Sequence, residues 1–126
     1  MLNLKTKDDR LEYGPGDTIE GRASWRLDSS PKKAQLFLMW FTMGKGDEDS
    51  YIVDECELTA SGSEEEKPFS FKLPDRPYSF EGKLISLQWT LELVTHDPDE
   101  VYRKDFMLSP WVEQVVLNKG DDDDDD

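Results

Sequence analysis

Across residues 85–93 apolar and polar side chains alternate without a break, Ile85, Leu87, Trp89, Leu91 and Leu93 on one parity and Ser86, Gln88, Thr90 and Glu92 on the other. Successive side chains of a strand point to opposite faces, so this stretch predicts a strand with one buried and one wet face. Residues 18–27 repeat the pattern, with Ile19, Gly21, Ala23, Trp25 and Leu27 against Thr18, Glu20, Arg22, Ser24 and Arg26. A glycine in the inward set marks a bulge or the close approach of another backbone. Shorter parity sets follow: Ile52, Cys56 and Leu58; Phe69, Phe71 and Leu73; Tyr102, Phe106 and Leu108. Residues 2–13 read as a broken first strand, and Trp111, Val115, Val116 and Leu117 suggest a last strand or covering segment.

Turn chemistry separates these runs. Gly14-Pro15-Gly16-Asp17 predicts a tight turn, because proline presets one backbone angle and glycine supplies a positive one. Residues 28–31, 44–49, 61–67, 74–82 and 96–100 are rich in Gly, Pro, Ser or acid and predict connections. No segment shows helical periodicity. The spacing predicts an all-β antiparallel sandwich of about seven or eight strands, with residues 1–118 as one domain and 119–126 as an acidic disordered tail.

Residues 32–43 break the alternation. Leu36, Leu38 and Trp40 occupy one parity, yet Phe37, Met39, Phe41 and Met43 fill the other. A strand of an antiparallel sheet with one dry face should be polar on its other side. Either a terminal segment or a loop covers the second set, or Phe37, Met39, Phe41 and Met43 form an exposed patch for a protein partner or a second copy.

Composition narrows the function. The chain carries 15 basic and 29 acidic residues for a net charge of −14; the aspartates of 121–126 account for six of these, leaving −8. Such a field disfavours nucleic acid and anionic lipid and favours a basic partner, for the tail above all. No apolar run approaches the ~18 residues of a membrane span, so no membrane insertion is expected. A single cysteine, Cys56, excludes an intrachain disulfide framework and points to a reducing, cytoplasmic setting.

Catalytic constellations are missing from the pattern. His96, beside Asp97, is the one histidine and sits in a turn, and Cys56 has acidic neighbours that disfavour a thiolate. No serine stands in a glycine-framed nucleophile elbow. The reading is therefore not an enzyme, and no cofactor is called for. A second reading is a calcium module: if strands alternate in direction, the loops at 61–67 and 96–100 emerge at one end and gather Glu64, Glu65 and Glu66 with Asp97, Asp99 and Glu100 as oxygen ligands.

The order of motifs carries a resemblance. YGPGDTIEG, a hydrophobic third strand, and then FSFKLPDRPYSFEGKLISLQWTLEL are similar to the N-terminal half of arrestin-fold proteins. The matching positions are Pro15, Gly16, Asp17 and Gly21, then Phe69, Phe71, Leu73, Pro74, Pro77, Ser79, Gly82 and Trp89, within residues 13–106. The resemblance implies an immunoglobulin-like β-sandwich and a non-enzymatic role as an adaptor or scaffold that binds proteins. Arrestins pair two such domains, whereas this sequence has room for one. Lys5, Lys7 and Arg10 do not reproduce a phosphate-sensing set, so phosphoprotein recognition is not carried over. The expected contact surfaces are an exposed edge strand, which can take up a partner's strand, and the apolar face around Phe37, Met39 and Phe41.

Overall fold

The computed structural model describes residues 1–44, 48–81 and 85–109. Among them the alternating runs form nine strands: β1 (Leu2–Thr6), β2 (Glu12–Tyr13), β3 (Thr18–Arg26), β4 (Lys33–Gly44), β5 (Ser50–Leu58), β6 (Glu64–Lys72), β7 (Phe80–Glu81), β8 (Ile85–His96) and β9 (Glu100–Leu108). They make two sheets. The smaller runs β1-β3-β6; the larger runs β2-β9-β8-β4-β5, with β7 pairing onto β8. The residues expected to form a last strand, Trp111 to Leu117, and the acidic tail lie outside the described residues.

Each sheet turns its apolar parity toward the other. Leu36, Leu38, Trp89, Leu91, Leu93, Phe106 and Leu108 from the larger sheet meet Leu2, Leu4, Ile19, Trp25, Phe69 and Phe71 from the smaller one, all buried. The two innermost indoles keep a polar partner: Trp89 Nε1 donates to the Pro77 carbonyl at 2.7 Å and Trp25 Nε1 to the Gly62 carbonyl at 3.0 Å. Burying an indole without such a partner would strand its N–H. The loop after β6 is thereby pinned over the core.

Two local expectations have direct geometric counterparts. At the Gly14-Pro15-Gly16-Asp17 turn the Asp17 amide donates to the Gly14 carbonyl at 3.1 Å and Gly16 has φ +77°, the arrangement of a type II turn. Gly21 lies opposite Thr6, and a Cβ there would collide with the Lys5 carbonyl oxygen. The bare α-carbon lets β1 lie this close to β3.

Four expectations need correction. Residues 2–13 are two strands in different sheets: the polar interval carries the chain across, and β2 joins β9 in parallel. Glu64 to Lys67, expected in a solvated connection, continue β6, because β3 extends beside them and pairs Arg26 with Glu64 and Ala23 with Lys67. A ladder partner outweighs the weak strand preference of glutamate. Within the expected loop at 74–82, Phe80 and Glu81 pair with Leu87 and Ser86. Finally, Ile52 does not share a face with Cys56 and Leu58. The β4–β5 register shifts between Leu38↔Asp54 and Met39↔Ile52, leaving Val53 as an extra residue. Such a bulge flips the parity on either side of it.

Gly21→Ala is expected to lower stability by about 1–3 kcal/mol through overpacking against β1. The urea midpoint reads this directly; an unchanged midpoint would show that β1 can move off β3 without loss.

Candidate functional site

The outer face of the larger sheet holds the anomalous apolar row of β4. Cross-strand neighbours of Phe37, Met39 and Phe41 on β8 are Glu92, Thr90 and Gln88. Glu92 is in turn opposite Arg103 of β9, and their ion pair is short, Nε to Oε2 2.7 Å. The Arg103 guanidinium also lies 5.4 Å from the centre of the Phe41 ring. It therefore spans from β9 across β8 to β4, over the row that holds Thr90. An arginine can cover apolar surface with its stem and stack its cation on an aromatic face. Thr90 beneath is fully buried, its Oγ1 donating to a backbone carbonyl, Leu91 or Lys104, each at 3.3 Å.

This roof changes the reading of the candidate contact residues. Met39 is only 6 % exposed, Phe37 and Phe41 are half-buried, and Met43, at 41 %, is the open member of the row. Met39 is thus packed material and not a free contact. The bulge adds residues that parity counting missed: Ile52, 52 % exposed on the outer face beside Met39, and Tyr51, 60 % exposed and stacked on Trp40 with ring centres 5.6 Å apart. No sequence signal marks the bulge itself.

Beside this row lies an open edge. β5 ends the larger sheet, and among the described residues no strand pairs with its outer side. The Thr42 amide donates to the Asp49 carbonyl at 2.8 Å, and hydrogen-bonded and non-bonded pairs alternate along an antiparallel ladder. Ser50 and Ile52 therefore turn their N–H and C=O groups outward, away from β4. Such a row is a template for another strand.

The remaining candidates do not assemble. β4 separates β5 from β8, which keeps Cys56 and His96 at least two strand spacings, about 10 Å, apart. Exposed His96 stands 3.8 Å from Asp99. The calcium reading fails on parity: Glu64, Glu65 and Glu66 are consecutive in a strand, so Glu65 points away from the other two. Each has its own partner, Arg26 at 3.2 Å, Lys67 at 3.2 Å and Arg22 at 3.8 Å. The Ser61 hydroxyl, followed by Lys67, holds the Glu65 carboxyl below the usual carboxylate range. Asp97 meets Lys32 at 3.4 Å and Glu100 the Met1 amino group at 3.2 Å. Among the described residues no three His, Cys, Asp or Glu side chains are grouped to hold a metal ion. A cleft lined by Lys5, Lys7, Arg22 and Phe69 crosses the smaller sheet, but Glu20 and Glu66 already pair with two of its cations. No helix among the described residues is long and apolar enough to cross a membrane.

Comparison with known proteins places the fold. No family model matches the chain, and no curated protein does. Among solved structures it is similar to Spo0M, a sporulation control protein from Bacillus subtilis, with a TM-score of 0.62 and 17 % identity over 94 % of this chain and 54 % of that one. The chain thus spans about half the length of that neighbour. Spo0M has an arrestin-like fold, and the two packed sheets described here form an arrestin-like β-sandwich.

Because Met39 is buried, Met39→Ala is expected to cost about 2 kcal/mol or more. Met43→Ser should stay within about 0.5 kcal/mol of the parent. Urea midpoints of the two variants check the contrast; equal losses would contradict it.

Proposed function

We propose that this chain is a non-enzymatic adaptor or scaffold domain, working in the cytoplasm, that binds an extended segment of another protein along the free edge of β5. The backbone of that edge, unpaired among the described residues, is the observation that carries the reading. Strand addition draws affinity from main-chain hydrogen bonds and specificity from the side chains that flank them. Here the flanking groups are Tyr51 and Ile52 on β5, with Phe41 and Met43 on the neighbouring strand. Phe37 borders the same row from further along β4, opposite Glu55. The likeness to a sporulation control protein supports a regulatory setting and names no partner.

The reading is tested with a panel of nine-residue extended peptides and amide hydrogen exchange on the full chain. Binders are expected to slow exchange in β5 before any other strand. Ile52→Pro removes one outward N–H while leaving the ladder to β4 intact, a position an edge strand tolerates. It should keep the parent's melting behaviour and weaken those binders at least about tenfold, the loss of one well-made hydrogen bond and its register. Protection that falls on β1 or β6 instead, or binding indifferent to Ile52→Pro, would overturn it.

A further inference from the structure

The charge along β5 says what kind of strand its edge accepts. Its sequence, SYIVDECEL, includes Asp54, Glu55 and Glu57, follows the exposed Glu48 and Asp49, and contains no lysine, arginine or proline. Other edges are guarded differently. β1 carries Lys5, β6 carries Lys67, Pro68 and Lys72, and β2 is two residues long. Lysine, proline and brevity all discourage a strand from adding to an edge. β5 has a bulge and acids of one sign, so its resistance depends on the charge of what approaches.

Among the described residues the acids of β5 also lack basic partners, as do Glu12 of β2 and Asp105 of β9, but only β5 gathers three of them along one edge. Glu20 of β3, Glu64, Glu65 and Glu66 of β6 and Glu92 of β8 each have a basic side chain within 4.0 Å. Among the described residues Asp54, Glu55 and Glu57 have none; Asp54 Oδ1 instead accepts the Glu55 amide at 2.8 Å, at the bulge. Glu55 and Glu57 share the outer face, opposite Phe37 and Gln35. A second copy pairing β5 with β5 would set acid against acid, and like charges facing each other across a ladder destabilise it.

Resting on the strand-addition reading above, we propose that the segment β5 accepts is basic, with lysine or arginine at alternate positions. One face of such a strand would bring cations against Glu55 and Glu57 while its backbone completes the ladder. Complementary charge at the rim raises the rate of encounter and sets direction and register, and the backbone supplies the rest. The unpartnered acids then act as a filter: they reject self-pairing and admit cationic strands.

The experiment uses the full chain and three labelled nine-residue peptides that share every second residue and carry Lys, Gln or Glu at the others. Anisotropy gives affinity and amide exchange gives location. The Lys peptide is expected to bind about tenfold more tightly than the Gln peptide, with the advantage falling as salt rises. The Glu peptide should bind weakest. Glu55→Lys with Glu57→Lys, both exposed and expected to leave the melting temperature near the parent's, should reverse that order. N-methylation of alternate amides in the Lys peptide keeps its charge and should abolish binding. If the methylated peptide binds as well, or the double variant leaves the order unchanged, attraction to the net acidity of the chain explains the binding and the proposal falls. If all three peptides protect β5 equally, the basic preference falls and strand addition stands. If none protects β5, both fall.

Discussion

The pairing of β4 with β8 is the constraint on which the rest of the structure depends. The two strands are paired along their full 12 residues, from Lys33↔His96 to Gly44↔Ile85. That register sets Leu36 beside Leu93, Leu38 beside Leu91 and Trp40 beside Trp89 on the inner face. Fully burying one such side chain is worth about 1.5–3 kcal/mol, so a slip of one residue would forfeit the whole row and turn it to water. The smaller sheet closes over these residues. β9 takes the free side of β8, and β5 is left to take the free side of β4. The open edge of β5 is thus a consequence of where the spine lies.

The same register explains why the outer face is apolar without being a free patch. Phe37, Met39 and Phe41 stand opposite Glu92, Thr90 and Gln88, and Glu92 anchors Arg103 at 2.7 Å so that its guanidinium reaches the Phe41 ring. One charged side chain thus lies against the Phe41 end of the row, and Met39 within the row is itself buried. Near β5 the open outer-face positions are Met43 and Ile52, with Tyr51 exposed on the other face beside Trp40; Val101 and Met107 are open on β9. Among the described residues, apolar flank, unpaired backbone and unpartnered acids therefore coincide along one strand, and the proposed role rests on that coincidence.

How far the sequence could be read depended on whether a signal was local. Ile85 to Leu93 and Thr18 to Arg26 were legible because strict alternation admits one periodicity, and Pro15-Gly16 because only glycine takes the positive φ of that turn without strain. The motifs from Tyr13 to Trp89 that resemble arrestin-fold proteins lie in a structure with that architecture. Glu64 to Glu66 misled because their composition suits a loop, and nothing in their neighbourhood reveals that β3 lies alongside. Ile52 misled because a bulge of one residue changes parity without leaving a compositional trace.

By itself, then, the sequence determined the long alternating runs of β3 and β8, the chemistry of the Pro15-Gly16 turn, that Gly21 marks a bulge or a close backbone approach, and the acidity of the chain, since each rests on side-chain type and near-neighbour spacing. Only the tertiary structure decided that Met39 is covered, that Glu64, Glu65 and Glu66 are separately paired, that Cys56 and His96 stand apart, and that β5 is an edge. Those depend on which strands become neighbours. Neighbours are chosen by the burial of two whole faces at once, a collective free energy that no single stretch contains.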